Sequence, residues 1–225
     1  MKIGYCMANA SGKPAEEVIK MAAGKGYECI EIPSYSDNGQ IDADEMLKGN
    51  NAAQFSKMVE DSGMFISAVS NHADSLLILG PHSSDSDFIF AGTPEEKIKF
   101  GTESVLRSIR LANALSVPVV IAFTGMENFG HAWDWPSATA YLDEDAKFVE
   151  RFVPILDKAK EYGVKLAFEP HPNNVIYDTH SALRIIEAAD RHPSFFFGRG
   201  APFNPLPARC ARNCERVIWP NLRRT

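Results

Sequence analysis

The stretch Lys165-Leu-Ala-Phe-Glu169-Pro-His171-Pro172 decides how this chain is read. Three apolar residues lead into a carboxylate and an imidazole, and proline then stops the run. Side chains along a strand alternate faces, so Glu169 and His171, two apart, are expected to point the same way. In sheets of parallel strands, ligands and chemistry gather where the strands end at their carboxyl termini. A Glu-x-His at such an address suits acid–base work or a divalent metal. The competing reading is a buried Glu paired with a neighbouring cation, with His171 as a loop cap.

Outward from this segment, strand-like and helix-like stretches alternate. Residues 2–7, 27–32, 64–70, 116–123 and 164–169 read as strands, and 195–197 as the start of a sixth. Between them lie helical patterns: Val18, Ile19 and Ala22 after Pro14, then 49–62, then a helix opened by Thr93-Pro-Glu-Glu96, then 141–162, then one capped by Asp178 or Thr179. The first strand is followed by no G-x-G-x-x-G, and no phosphate-cradling P-loop occurs. Repeated βα units without those motifs predict a (β/α)8 barrel over a dinucleotide fold. About five to six units fit in the chain, whereas a full barrel takes ~250 residues, so the barrel is expected to be incomplete.

Composition breaks near residue 191. Residues 1–190 carry 12 Lys and 4 Arg against 28 acidic residues, a net of −12. Residues 191–225 carry 7 Arg, no Lys and one acid, a net of +6. The expected organisation is a barrel-like body over 1–193 and an Arg/Pro-rich tail over 194–225. The acidic body disfavours nucleic-acid partners, and no apolar run reaches the ~20 residues of a membrane span. The start lacks a secretory h-region, and Cys6 and Cys29 read as small core residues, which together suggest a reducing, cytoplasmic setting. Cys210 and Cys214 have no second pair to complete a zinc site.

Further polar residues collect after strands three and four. Strand three runs into Ser70-Asn71-His72, and strand four into a segment holding His131, Trp133 and Trp135. Histidine serves as ligand, donor or proton shuttle near neutral pH. His72, His131, His171 and Trp135 are therefore candidate substrate contacts. The alternative is that the histidines are structural and the tryptophans anchor a loop. His82 and His180 read as structural, and Asp85-Ser86-Asp87 as a solvated loop.

Ile66-Ser-Ala-Val-Ser-Asn71-His72 followed by Leu79-Gly-Pro-His82, the Phe123-Thr-Gly125 strand end, and Phe168-Glu-Pro-His171-Pro with Tyr177-Asp-Thr179 resemble the sugar phosphate isomerase/epimerase group. These are xylose isomerase-like TIM barrels, a superfamily that also includes endonuclease IV-type repair enzymes. The resemblance implies a divalent ion (Mn, Mg, Co or Zn) at the barrel mouth, with Glu169 as metal ligand and acid–base group. It implies proton transfer between adjacent carbons of a small sugar through a metal-stabilised enediolate. The family pattern stops after His192-Pro193, where a strand of the form Phe-Asp-Pro-Ser-His is expected and Phe195-Phe-Phe-Gly-Arg follows. A reading-frame change or a genuine basic tail both account for this, and an inactive barrel fragment or binding module is the alternative to an enzyme. Unpaired strand edges in such a fragment predict aggregation or pairing with a second copy.

Overall fold

The computed structural model describes residues 2–127, 140–172 and 174–197. Six strands form one sheet in sequence order: β1 (Gly4–Cys6), β2 (Cys29–Pro33), β3 (Phe65–Asn71), β4 (Val119–Ala122), β5 (Lys165–Phe168) and β6 (Phe195–Phe197). Every adjacent pair is parallel. The connections carry helices α1 (Ala15–Gly24), α2 (Ala43–Met46), α3 (Asn51–Asp61), α4 (Ala73–Leu76), α5 (Pro94–Ala114), α6 (Ala140–Glu161) and α7 (Thr179–Ala188). This is the βα succession of a (β/α)8 barrel, with six strands among the described residues. The basic segment beyond residue 197 lies outside them.

Strands covered on both faces read as nearly continuous apolar runs, and β4, Val-Val-Ile-Ala, shows why the alternation was visible in sequence. On the outer face, Ile30, Ile32, Val69, Val120, Leu166 and Phe168 join Val18, Val59, Ile109 and Phe152 of the helices in one core. Aromatic packing closes one end, with Phe168 edge-on to Phe148 and Phe152 at 5.3 and 5.1 Å between ring centroids. The inner face holds a separate, smaller cluster of Ala68, Ile121 and Ala167.

Local chemistry sets the element ends. Thr93 and Glu96 form the capping box expected at the start of α5. Asp178 and Ser181 form another at α7, and the Ser181 N–H holds the Asp178 carboxyl below the usual range. β4 starts at Val119, later than the run from Ser116 suggested. Ser116 adopts φ +56°, a left-handed conformation that no strand accommodates, and extended pairing begins only past Pro118.

In the segment Asp85-Ser86-Asp87 the two aspartates are exposed, as a solvated loop requires, but the serine between them is not. Residues Ser84–Ser86 form a 3-10 turn, and Ser86 is buried. The reason is Lys97, 1% exposed, which pins the turn from inside. Its ammonium donates to the carbonyls of His82 (3.3 Å) and Ser83 (2.7 Å), to Ser86 Oγ (3.0 Å) and to Asp87 Oδ1 (2.6 Å). Lys97→Met would leave those acceptors without their donor. We expect a loss of about 3 kcal/mol, measured by urea denaturation. A loss below about 1 kcal/mol would show that water replaces the ammonium freely.

Candidate active site at the carboxyl ends of the strands

β4 lies between β3 and β5, so the residues leaving β3 and β5 flank those leaving β4. Parity places them. Ala68, Ile121 and Ala167 face inward, and His72, Phe123 and Glu169 continue that register past the strand ends. His72 Nε2 stands 3.3 Å from Glu169 Oε2, with the two side chains 21% and 24% exposed. The nitrogen is buried and its contact lies outside hydrogen-bond alignment. The pair is therefore an ion-pair contact when the imidazole is protonated.

Phe123 forms the floor between two imidazoles. Its ring centroid is 4.6 Å from that of His72 and 4.7 Å from that of His171. His171 is exposed, and its Nδ1 lies 2.7 Å from the Pro172 carbonyl. Because that carbonyl can only accept, Nδ1 is the donor in this contact. The imidazole on Glu169 thus comes across the sheet from β3, while His171 lies against the other side of Phe123. Prolines 170 and 172 end the strand before His171 can share its geometry. His131, Trp133 and Trp135 lie outside the described residues.

A rigid set of loop contacts supports these side chains. Asn174, 1% exposed, accepts from the Gly125 N–H (2.6 Å) and from Thr124 Oγ1 (3.2 Å), tying the β5 exit to the β4 exit. Ser75 Oγ accepts from the Phe123 N–H (2.9 Å) and donates to the His72 carbonyl (3.3 Å), tying β4 to β3. Asp74 Oδ2 accepts from Ser36 N–H, Ser36 Oγ and Ser104 Oγ at 2.9, 3.0 and 2.6 Å, joining the β2 exit to α5. None of this serine-rich network carries a recognisable sequence motif.

Behind the β4 exit, Glu127 pairs with Lys147, which also contacts the buried Glu144 at 3.3 Å. Lys147 holds the Glu127 carboxyl below its ordinary range, while burial raises that of Glu144. His82 donates from Nε2 to the Leu77 carbonyl (2.8 Å), and its Nδ1 is buried without a hydrogen bond, 3.9 Å from Glu127 Oε1. Burial lowers its pKa despite Glu127, with Arg151 and Lys97 adding to the lowering. A histidine held neutral in the fold stabilises above the ordinary imidazole value. That contribution is lost as pH falls through the lowered folded value. We expect stability to fall as pH drops below about 6.5, and His82→Gln to flatten that part of the profile in pH-dependent melts. An unchanged slope would contradict the assignment.

A cavity of about 630 Å3 is lined by Ser34 to Asp44 and Arg107. Glu169 and His72 are not in its lining, and the chemistry is placed at the strand ends because the ionisable pair sits there. Sequence reading missed one inner-face group altogether. Glu31 of β2 is 7% exposed and accepts from the Cys6 thiol at 3.3 Å. Burial and the Glu31 charge push that thiol up to about 12. The only signal was an acid inside an apolar strand.

Among the described residues, no three His, Cys, Asp or Glu side chains gather so as to hold a metal ion. Glu169 and His72 supply two donors and stop short of a coordination shell. The described donors alone therefore do not fit a resident divalent ion, and no chemical step is routed through one.

The fold and the ionisable pair at its strand ends define a parallel βα-barrel protein with an enzyme-like mouth. The sequence profile described as xylose isomerase-like TIM barrel matches residues 19–197, and the chain belongs to that family. Among solved structures, the probable 3-DHS dehydratase AsbF from Bacillus anthracis superposes with a TM-score of 0.60 at 18% identity, covering 88% of this chain and 62% of that one. D-allulose 3-epimerase from Methylomonas sp., in complex with D-allulose, gives 0.60 at 16% identity over 88% and 61%. A xylose isomerase-like TIM barrel protein from Mycobacterium smegmatis, in complex with magnesium, gives 0.58 at 15% identity over 88% and 63%. The chain thus spans about six tenths of these neighbours' length. A comparison with curated protein sequences gives no match. Among the described residues, no helix is long and apolar enough to cross a membrane.

Proposed function

We propose that this chain carries the proton-transfer half of a sugar isomerase or epimerase site, acting on a small ketose. The observation that carries the reading is the contact of Glu169 with His72 on the inner face, at the ends of two strands flanking β4. Two neighbours named for ketose 3-epimerisation, L-ribulose 3-epimerase and D-allulose 3-epimerase, lend support through fold alone.

The chemistry asked of these residues is limited and balanced. The Glu169 carboxylate takes the proton from the carbon beside the carbonyl, breaking C–H and forming O–H. His72, close to that carboxylate, donates towards the oxygen on which charge develops. Delivery of a proton from water on the opposite face, with Glu169 releasing its own proton to solvent, gives the epimer, and return of the proton by Glu169 to the neighbouring carbon gives the isomer. Phe123 offers an apolar floor against which the C–H face of a sugar can lie. A divalent Mn, Mg, Co or Zn ion, which the family resemblance implies with Glu169 as one ligand, would polarise the carbonyl of the ketose; the steps above are asked of the side chains alone.

The test is direct. The 225-residue chain is incubated with D-allulose or L-ribulose, with Mg2+ or Mn2+ present, and the products are separated by ion chromatography. Formation of an epimer or aldose is expected. A folded chain that converts neither ketose would overturn the reading.

A further inference from the structure

Glu31 poses a problem that the proposed chemistry does not use. It pairs in register with Cys6 on β1 and Ala68 on β3. Ala68 belongs to the inner cluster, so Glu31 lies on the same face as Glu169 and His72. A carboxylate drawn out of water needs strong donors or a counter-charge. Among the described residues Glu31 has neither, since no Lys, Arg or His forms an ion pair with it. Among the described residues its one hydrogen-bond donor is the Cys6 thiol, a weak one. The second oxygen is not among the fully buried unpartnered atoms, so it keeps some accessible surface. An under-supplied carboxylate that opens onto the mouth of a barrel is a site awaiting donors.

We propose that Glu31 anchors the substrate, its free carboxylate oxygen accepting hydroxyl groups of the polyhydroxy compound on which Glu169 acts. This rests on the ketose reading above. Cys6 holds the other oxygen and fixes the direction of the acceptor. Sugar hydroxyls are the matching chemistry. They bring neutral O–H donors that make short, charge-assisted bonds to a carboxylate, and they give Glu31 the partners the fold withholds.

The experiment measures D-allulose binding by calorimetry for the wild-type chain, Glu31→Gln and Glu31→Asp, with melts by circular dichroism to show that each is folded. The wild type should bind the ketose. Glu31→Gln should weaken binding about tenfold to a hundredfold. Glu31→Asp keeps the charge on a shorter arm and should lie between the two, which guards against a folding defect in either variant. Wild-type affinity in both folded variants would overturn the inference and leave the ketose reading standing. Absence of binding in the wild type, with D-allulose, D-fructose and L-ribulose alike, would remove the ketose reading and this inference with it.

Discussion

Glu169→Gln is expected to lower ketose conversion by about a thousandfold, within the usual contribution of a positioned acid–base group, with the fold intact. The substitution keeps shape and hydrogen bonding but removes the basic lone pair, so it separates proton transfer from architecture. Glu169 follows β5 directly, its N–H donates to the Ala122 carbonyl at 3.1 Å, and its side chain is only partly buried. Melting temperature should therefore stay within a few degrees of wild type. His72→Gln should cost less, about tenfold to a hundredfold, because His72 assists at an oxygen and is not the base. Rates from product analysis and melts by circular dichroism check both. A fall of less than tenfold for Glu169→Gln would remove it from the chemistry.

The largest effect on stability is expected at Gly125. It sits at φ +71°, and a Cβ there would lie 2.2 Å from the Leu76 carbonyl oxygen and 2.4 Å from that of Gly80. Both obstacles are backbone, held in place by the Met126 N–H to Gly80 carbonyl bond (2.9 Å) and by the Asn174 contacts. No side chain can swing aside. The left-handed conformation alone costs an alanine about 1 kcal/mol, and displacing the β3 and β4 exit loops adds more. We expect Gly125→Ala to lose about 4 kcal/mol or more, a fall in Tm of about 10 °C or more for a domain of this size. Catalysis should suffer with it, since the same turn carries the loop that fixes Phe123. A melting temperature unchanged by Gly125→Ala would show that the three exit loops are not locked as described.

The fold was legible where burial writes itself into composition. β2 to β5 are apolar because helices cover one face and the barrel interior the other, and Thr93-Pro-Glu-Glu96 announces α5 through its capping chemistry. Glu169 was legible for a related reason, as an ionisable group ending an apolar strand just before proline. His72 was legible as a histidine leaving a neighbouring strand on the same rim, but its direct contact with Glu169 was not, because it arrives from 97 positions earlier in the chain by way of two strand pairings that no local pattern encodes. Glu31 was hidden because β2 is buried along its whole length, and an acid in such a run has no partner within reach in sequence. The lysine bracing of Ser83 to Asp87 escaped because a short polar run looks the same whether water or a buried ammonium satisfies it.

The central claim is that the inner face of this barrel moves a carbon-bound proton through Glu169. The most direct measurement is solvent isotope exchange: the chain is incubated with D-allulose in D2O and the sugar is followed by NMR. The account predicts deuterium appearing at the carbon beside the carbonyl with the wild-type chain, and no incorporation above the protein-free control with Glu169→Gln. Neither deuterium uptake nor product with the wild-type chain, or equal uptake by the variant, would contradict it.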